Sequence, residues 1–132
     1  TFRDAVPRED VPALYRTADI VLVPLRAVPL FRSFIPSKMF EILACGRPIL
    51  AALEGEAAEI LRASGAALVV PPEDVDALAK ALARLVADPA LRSELASRGR
   101  PYVAGHFDRR QLASRYFKIL ETVVRAAPAR AL

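Results

Sequence analysis

The sequence predicts an α/β fold: part of an open, Rossmann-like parallel sheet with flanking helices. Three apolar runs near 20–24, 49–52 and 67–70 carry that reading. Helical patterns separate them, which gives the chain room to cross over and re-enter the sheet in the same direction. Each run is apolar at consecutive positions, as expected for strands covered on both faces. A complete Rossmann-like sheet has about six strands. Three therefore read as its second half, with strand order following the chain and a bare edge at 20–24.

The elements follow in order. Asp10-Val11-Pro12 opens a helix, with Asp10 as N-cap and Pro12 in the first turn, running to about Thr17. Ile20 to Pro24 is the first strand. Residues 25–35 have no period and contain Pro29, so they form a loop, long enough to suggest function. A helix from Ser37 to Cys45 turns Met39, Phe40 and Leu43 to the core and stops at Gly46. Pro48 to Ala52 is the second strand, Glu56 to Ser64 a helix closed by Gly65, and Ala67 to Val70 the third strand. Asp74 caps an amphipathic helix with Leu78, Leu82 and Leu85 on one side. Asp88-Pro89 starts another, to about 103. Asp108 caps the last, with Leu112, Tyr116, Ile119 and Val123 three or four apart.

The 132 residues are one domain at most, and 54% hydrophobic content excludes a disordered chain. No apolar stretch approaches the roughly 20 residues of a membrane span. The chain opens on Thr1-Phe2-Arg3, with neither Met nor a secretory segment, so a longer protein with a missing N-terminal part is expected. The lone Cys45 excludes an internal disulfide and suits a reducing, cytoplasmic setting. With one His and one Cys, no metal site is expected. The net charge of +4 arises from 16 Arg and 3 Lys against 15 acids. That balance suits a nucleotide diphosphate or peripheral contact with the inner membrane face. Nucleic acid is not expected as a partner, because no basic patch interleaved with aromatics appears.

Ligands of open parallel sheets bind beyond the carboxyl ends of the strands. Here those ends lead into 25–36, 53–56 and 71–74. Helix N-termini offer free N–H groups and about half a positive charge, which suits phosphate. Ser37 adds a hydroxyl, Lys38 a full charge, and Glu41 an acceptor for a ribose diol.

The order ADIVLVPL, loop, PSKMFEILACGRPIL, EAAEIL, GAALVVPPEDVDALAKALARLVADPALR and HFDRRQLASRYFKIL resembles the C-terminal, donor-binding domain of group 1 glycosyltransferases of the GT-B fold. The resemblance makes residues 1–132 the C-terminal portion of a nucleotide-sugar-binding domain. Helices 109–126 would correspond to the segment that crosses back to the N-terminal domain. The family's loop usually carries two glutamates eight apart, the first on the donor sugar and the second on the ribose. Glu41 matches the second; Ser33 stands where the first would be, and Ile35-Pro36-Ser37-Lys38 replaces the usual Gly-rich turn. That form is similar to a branch of cell-surface polysaccharide synthesis. Donor sugar identity is left open by the departure.

Duller roles compete for several residues. Ser37 suits an N-cap as well as a phosphate contact, Lys38 a solvated surface position, and Glu41 a first-turn charge favoured by the helix dipole. Glu56 complements its helix dipole, Cys45 reads as a small core residue, His106 as structural and Arg47 as surface. No nucleophile–base pair or catalytically spaced carboxylate pair appears, so no catalytic residue is assigned. The resemblance implies a glycosyltransferase, retaining in group 1, that uses a nucleotide-diphosphate sugar as substrate and no cofactor. Its acceptor would be a cell-surface polysaccharide or a lipid-linked molecule, and the chain alone would be inactive. A GT-B-like sugar-nucleotide epimerase and a non-catalytic Rossmann-like interaction domain remain alternatives. Self-association through the bare sheet edge is expected.

Overall fold

A computed structural model describes residues 4–126. Strands β1 (Val21–Pro24), β2 (Ile49–Ala52) and β3 (Ala67–Val70) form one parallel sheet in the order β1-β2-β3, as the sequence predicts. The helices are α1 (Val11–Thr17), α2 (Lys38–Ala44), α3 (Glu56–Ser64), α4 (Val75–Ala87), α5 (Pro89–His106) and α6 (Arg109–Ala126).

The two-residue period of a strand sorts the core into two layers. Val23, Ile49, Ala51 and Leu53 point to one face, where Met39, Ile42 and Leu43 of α2 and Ala57, Ala58 and Leu61 of α3 are buried against them. Leu50 points to the other, against Leu85 of α4 and Leu95 of α5. Each fully buried aliphatic side chain contributes about 1.5–3 kcal/mol. The second layer reaches β2 and β3 but leaves β1 uncovered: Leu22 is 48% exposed.

The two sequence-predicted caps Asp74 and Asp108 form, and Asp88, read from sequence as a helix break and start, caps α5 as well. Asp74 accepts from the Ala77 N–H at 2.8 Å, Asp88 from Leu91 at 2.8 Å and Asp108 from Gln111 at 3.0 Å. Two other expected caps do not. Asp10 ends a short 3-10 turn, Arg8–Asp10, with helical φ −86° and ψ −16°, and its side chain caps nothing. Ser37 likewise has φ −58° and ψ −31°, with no cap bond. A cap needs an extended backbone to swing its oxygen back over the first turn.

Other expectations need correction. The 25–35 loop contains a 3-10 turn, Pro29–Arg32. Phe40 packs against the core as expected but is only half-buried, its ring 4.6 Å from that of Phe107. Ile42, not named from sequence, is fully buried beside Met39 and Leu43. Leu82 is 44% exposed, because Ala81 rather than Leu82 packs on the second layer. α5 runs to His106, through Pro101. The carbonyl that Pro101 cannot bond belongs to exposed Ser97, where water can take it. Arg47 is half-buried, reaching the Arg16 carbonyl while its Nε is buried without a partner. Cys45 is half-buried rather than core, its thiol 3.8 Å from the Pro12 carbonyl.

Candidate functional site

α2 starts where the chain returns from the carboxyl end of β1, so its first turn lies at the sheet edge that binds ligands in open α/β folds. Ser37, Lys38 and Glu41 all sit there and all are exposed. Ser37 and Glu41 are four apart and share a helix face. The first turn spends two of its N–H groups internally, Met39 to the Pro36 carbonyl and Phe40 to that of Ser37, each at 3.1 Å. Among the described residues, the N–H groups of Ser37 and Lys38 have no backbone partner, and neither Lys38 nor Glu41 has an ion-pair partner. The uncapping geometry of Ser37 also leaves its hydroxyl unused by the helix.

Glu41 also faces α1. Burial chiefly, then the Glu41 carboxylate and Cys45, push the Tyr15 hydroxyl above its ordinary 10.0. A carboxylate near a phenol favours the neutral phenol.

Two arginines that sequence reasoning left among the scattered surface charges belong to this edge. Arg32 Nε donates to Glu54 Oε1 at 3.0 Å, tying the β1–α2 loop to the turn after β2. Arg26 lies 3.6 Å from Glu73, tying it to the turn after β3. Glu73 has φ 63°, a left-handed conformation unusual outside glycine. The signal was readable in part: carboxylates at 54 and 73 each follow a strand, and both arginines flank Pro29. Ser33, where the family resemblance would place a first glutamate, donates to the Leu30 carbonyl at 3.4 Å.

Glu56 is exposed in the first turn of α3, directly after Gly55 and Glu54 of this edge, and has no ion-pair partner among the described residues. The other candidate lies apart. His106 ends α5, with Nδ1 2.9 Å from the Tyr102 carbonyl and its ring stacked on Tyr102. Among the described residues no group of three His, Cys, Asp or Glu could hold a metal, and no helix is long and apolar enough to cross a membrane.

A parallel sheet flanked by helices, with charged residues along its carboxyl edge, is an open α/β architecture, and comparison with known proteins narrows the class. Residues 1–88 match the family described as "Glycosyl transferases group 1". The chain is 36% identical over 92 residues to a D-inositol 3-phosphate glycosyltransferase of Salinispora arenicola, covering 70% of this chain and 19% of that protein. It is 29% identical over 121 residues to a GDP-mannose-dependent alpha-(1-6)-phosphatidylinositol monomannoside mannosyltransferase of Mycolicibacterium smegmatis, covering 90% of this chain and 32% of that protein. Sucrose-phosphate synthase of Thermosynechococcus elongatus superposes with a TM-score of 0.82 at 28% identity, over 96% of this chain and 31% of that one. This chain belongs to the group 1 glycosyltransferases. It spans between about a fifth and a third of the length of these proteins.

Proposed function

We propose that this chain is the donor-binding part of a retaining glycosyltransferase that takes its sugar from a nucleotide diphosphate. The diphosphate lies over the first turn of α2, where the N–H groups of Ser37 and Lys38 and the Lys38 ammonium meet it. Glu41 accepts from the ribose hydroxyls. Stabilising the charge that builds on the leaving diphosphate is the main demand of glycosyl transfer, and fixed donors with a cation supply it. The observation that carries this reading is Glu41: an exposed carboxylate with no ion-pair partner among the described residues, one turn from two unbonded N–H groups.

The rest of the protein supplies the acceptor side. The exposed apolar side of α6 packs against it, in keeping with the resemblance to a helix that crosses between domains. The acceptor is a polysaccharide precursor or lipid-linked molecule, reached by a cytoplasmic enzyme in peripheral contact with the membrane. One relative is named for a phosphatidylinositol-linked acceptor and GDP-mannose, which supports that class.

Calorimetry on the intact protein with UDP- and GDP-sugars tests the donor site. A lost charged hydrogen bond costs about 1.5–3 kcal/mol, so Glu41→Ala should weaken the preferred nucleotide about tenfold or more. Loss of a surface glutamate costs stability less than about 0.5 kcal/mol. Equal affinity in both forms would remove Glu41 from the ribose. Product analysis with the same donors separates transfer from epimerisation.

A further inference from the structure

A cleft of about 700 Å³ opens between α1, the last turn of α2, the end of α5 and the start of α6. Arg16, Arg100, Arg109 and Arg110 line it, and all four are exposed. None of the four belongs to an ion pair among the described residues. The acid in its wall, Asp108, is already engaged, accepting the Gln111 N–H at 3.0 Å as the cap of α6. Four guanidiniums thus face one occupied carboxylate, in a chain whose whole excess is +4. Val103 and Phe107 give the same cleft an apolar wall.

Like charges gathered around a concavity without counter-charges raise the local potential and the concentration of anions. Guanidinium matches phosphate oxygens in paired hydrogen bonds, which a lysine ammonium, a point charge, does not offer, so clustered arginines suit phosphate recognition. Arg98, by contrast, pairs with Glu94, and Arg92 donates to the Leu85 and Val86 carbonyls. Arg62 and Arg84 are exposed and outside any ion pair among the described residues, like the cleft arginines, but stand outside this concavity. The distinguishing feature is that four share it.

We propose that this cleft is a second anion site, which binds a phosphorylated group bearing two or more negative charges beside an apolar moiety. It is built around Ala44 and Cys45, at the opposite end of α2 from Ser37. At 1.5 Å per residue, roughly 10 Å of helix separates the two. The site does not depend on the donor assignment; only a lipid source for the phosphate rests on peripheral membrane contact.

The test uses the intact protein and two probes: inorganic pyrophosphate by calorimetry, and co-sedimentation with phosphatidic acid/phosphatidylcholine vesicles against phosphatidylcholine alone. The variants are Arg16→Gln/Arg100→Gln and Arg109→Gln/Arg110→Gln, with Arg62→Gln/Arg84→Gln as a control of equal charge elsewhere. At least one probe should bind. Each cleft pair should weaken it about tenfold, since two charge-assisted contacts are lost at a partly exposed site. The control should change it no more than about twofold, the share left to screened long-range charge. Donor nucleotide affinity should hold in every variant, so failure here and failure of the Glu41 reading are separable. Pyrophosphate binding marks a soluble ligand; vesicle binding alone marks a headgroup. Failure of both probes, or an equal loss in the control, would overturn the site.

Discussion

At the scale of single residues, Gly55 holds the candidate site together. It has φ 74° and ψ −149°, a region open essentially to glycine, and a Cβ there would lie 2.0 Å from the Arg32 carbonyl oxygen. The Arg32 backbone thus rests directly on Gly55, while its side chain pairs with Glu54 next door. Gly55→Ala should cost about 2 kcal/mol or more, from strain and collision together. Urea unfolding checks it, and a loss below about 0.5 kcal/mol, the range of ordinary surface changes, would mean the loop is seated otherwise. Tyr15 gives a second residue-scale test. Its folded-state pKa is raised above 10.0, by burial first and by Glu41 and Cys45 after it. The folded state therefore holds the phenolic proton longer than the unfolded chain. That contribution is fully present below the unfolded value and is lost as pH rises through the folded one. Stability should fall more steeply above pH 10 in the wild type than in Tyr15→Phe, and parallel curves from denaturant titration would count against it.

At the scale of elements, α5 presents two glycines with opposite prospects. Gly99 is buried against α2, where an added Cβ would meet the Leu43 carbonyl oxygen at 2.8 Å and its Cα at 3.2 Å. Gly105 is exposed, with nothing within 4 Å of such a Cβ. Alanine gains about 1 kcal/mol over glycine in a helix interior. At Gly105 that gain should appear nearly whole, reduced only by nearness to the helix end. At Gly99 the backbone of α2 cannot yield like a flexible side chain, and overpacking costs about 1–3 kcal/mol. Thermal unfolding should therefore move in opposite directions for Gly99→Ala and Gly105→Ala. Stabilisation by both would mean that α5 rides further from α2 than the contact implies.

At the scale of the whole molecule, the sheet ends on an uncovered strand. The Val21 N–H bonds the Pro48 carbonyl and that of Leu25 the Ala52 carbonyl, so odd positions of β1 face β2. Leu22 and Pro24 then face outward, and Pro24 has no N–H to offer. The edge thus presents few donors, yet Leu22 is 48% exposed beside it, while every residue of β3 at the other edge is half-buried. Unpaired strand edges recruit partners. The 132-residue chain on its own should self-associate through β1 at high concentration, with slowed amide exchange at Leu22. α6 offers a rival surface, its apolar residues 41–72% exposed from Leu112 to Val124. A monomer by light scattering, or association with fast exchange along 20–24, would clear β1 of the role.

By itself, the sequence determined the parallel sheet, its order and nearly every element boundary. Consecutive apolar runs, aspartate caps and glycine stops are local signals that survive without knowledge of what packs on them. It also put Ser37, Lys38 and Glu41 in one helical turn, since spacing along a helix fixes which residues are neighbours. Tertiary structure decided what periodicity cannot carry. It put Ala81 rather than Leu82 against the second layer, because the facing helix and strand choose which side of an amphipathic helix is used. It withheld the Ser37 cap, because capping turns on a backbone angle set by the loop before it. It brought Arg26 to Glu73 and Arg32 to Glu54, and gathered four arginines from three helices around one cleft. The ion pairs join residues far apart in the chain, which only the crossovers of the sheet bring within reach, and Arg16 meets Arg100, Arg109 and Arg110 because α1 and α5 both pack on α2.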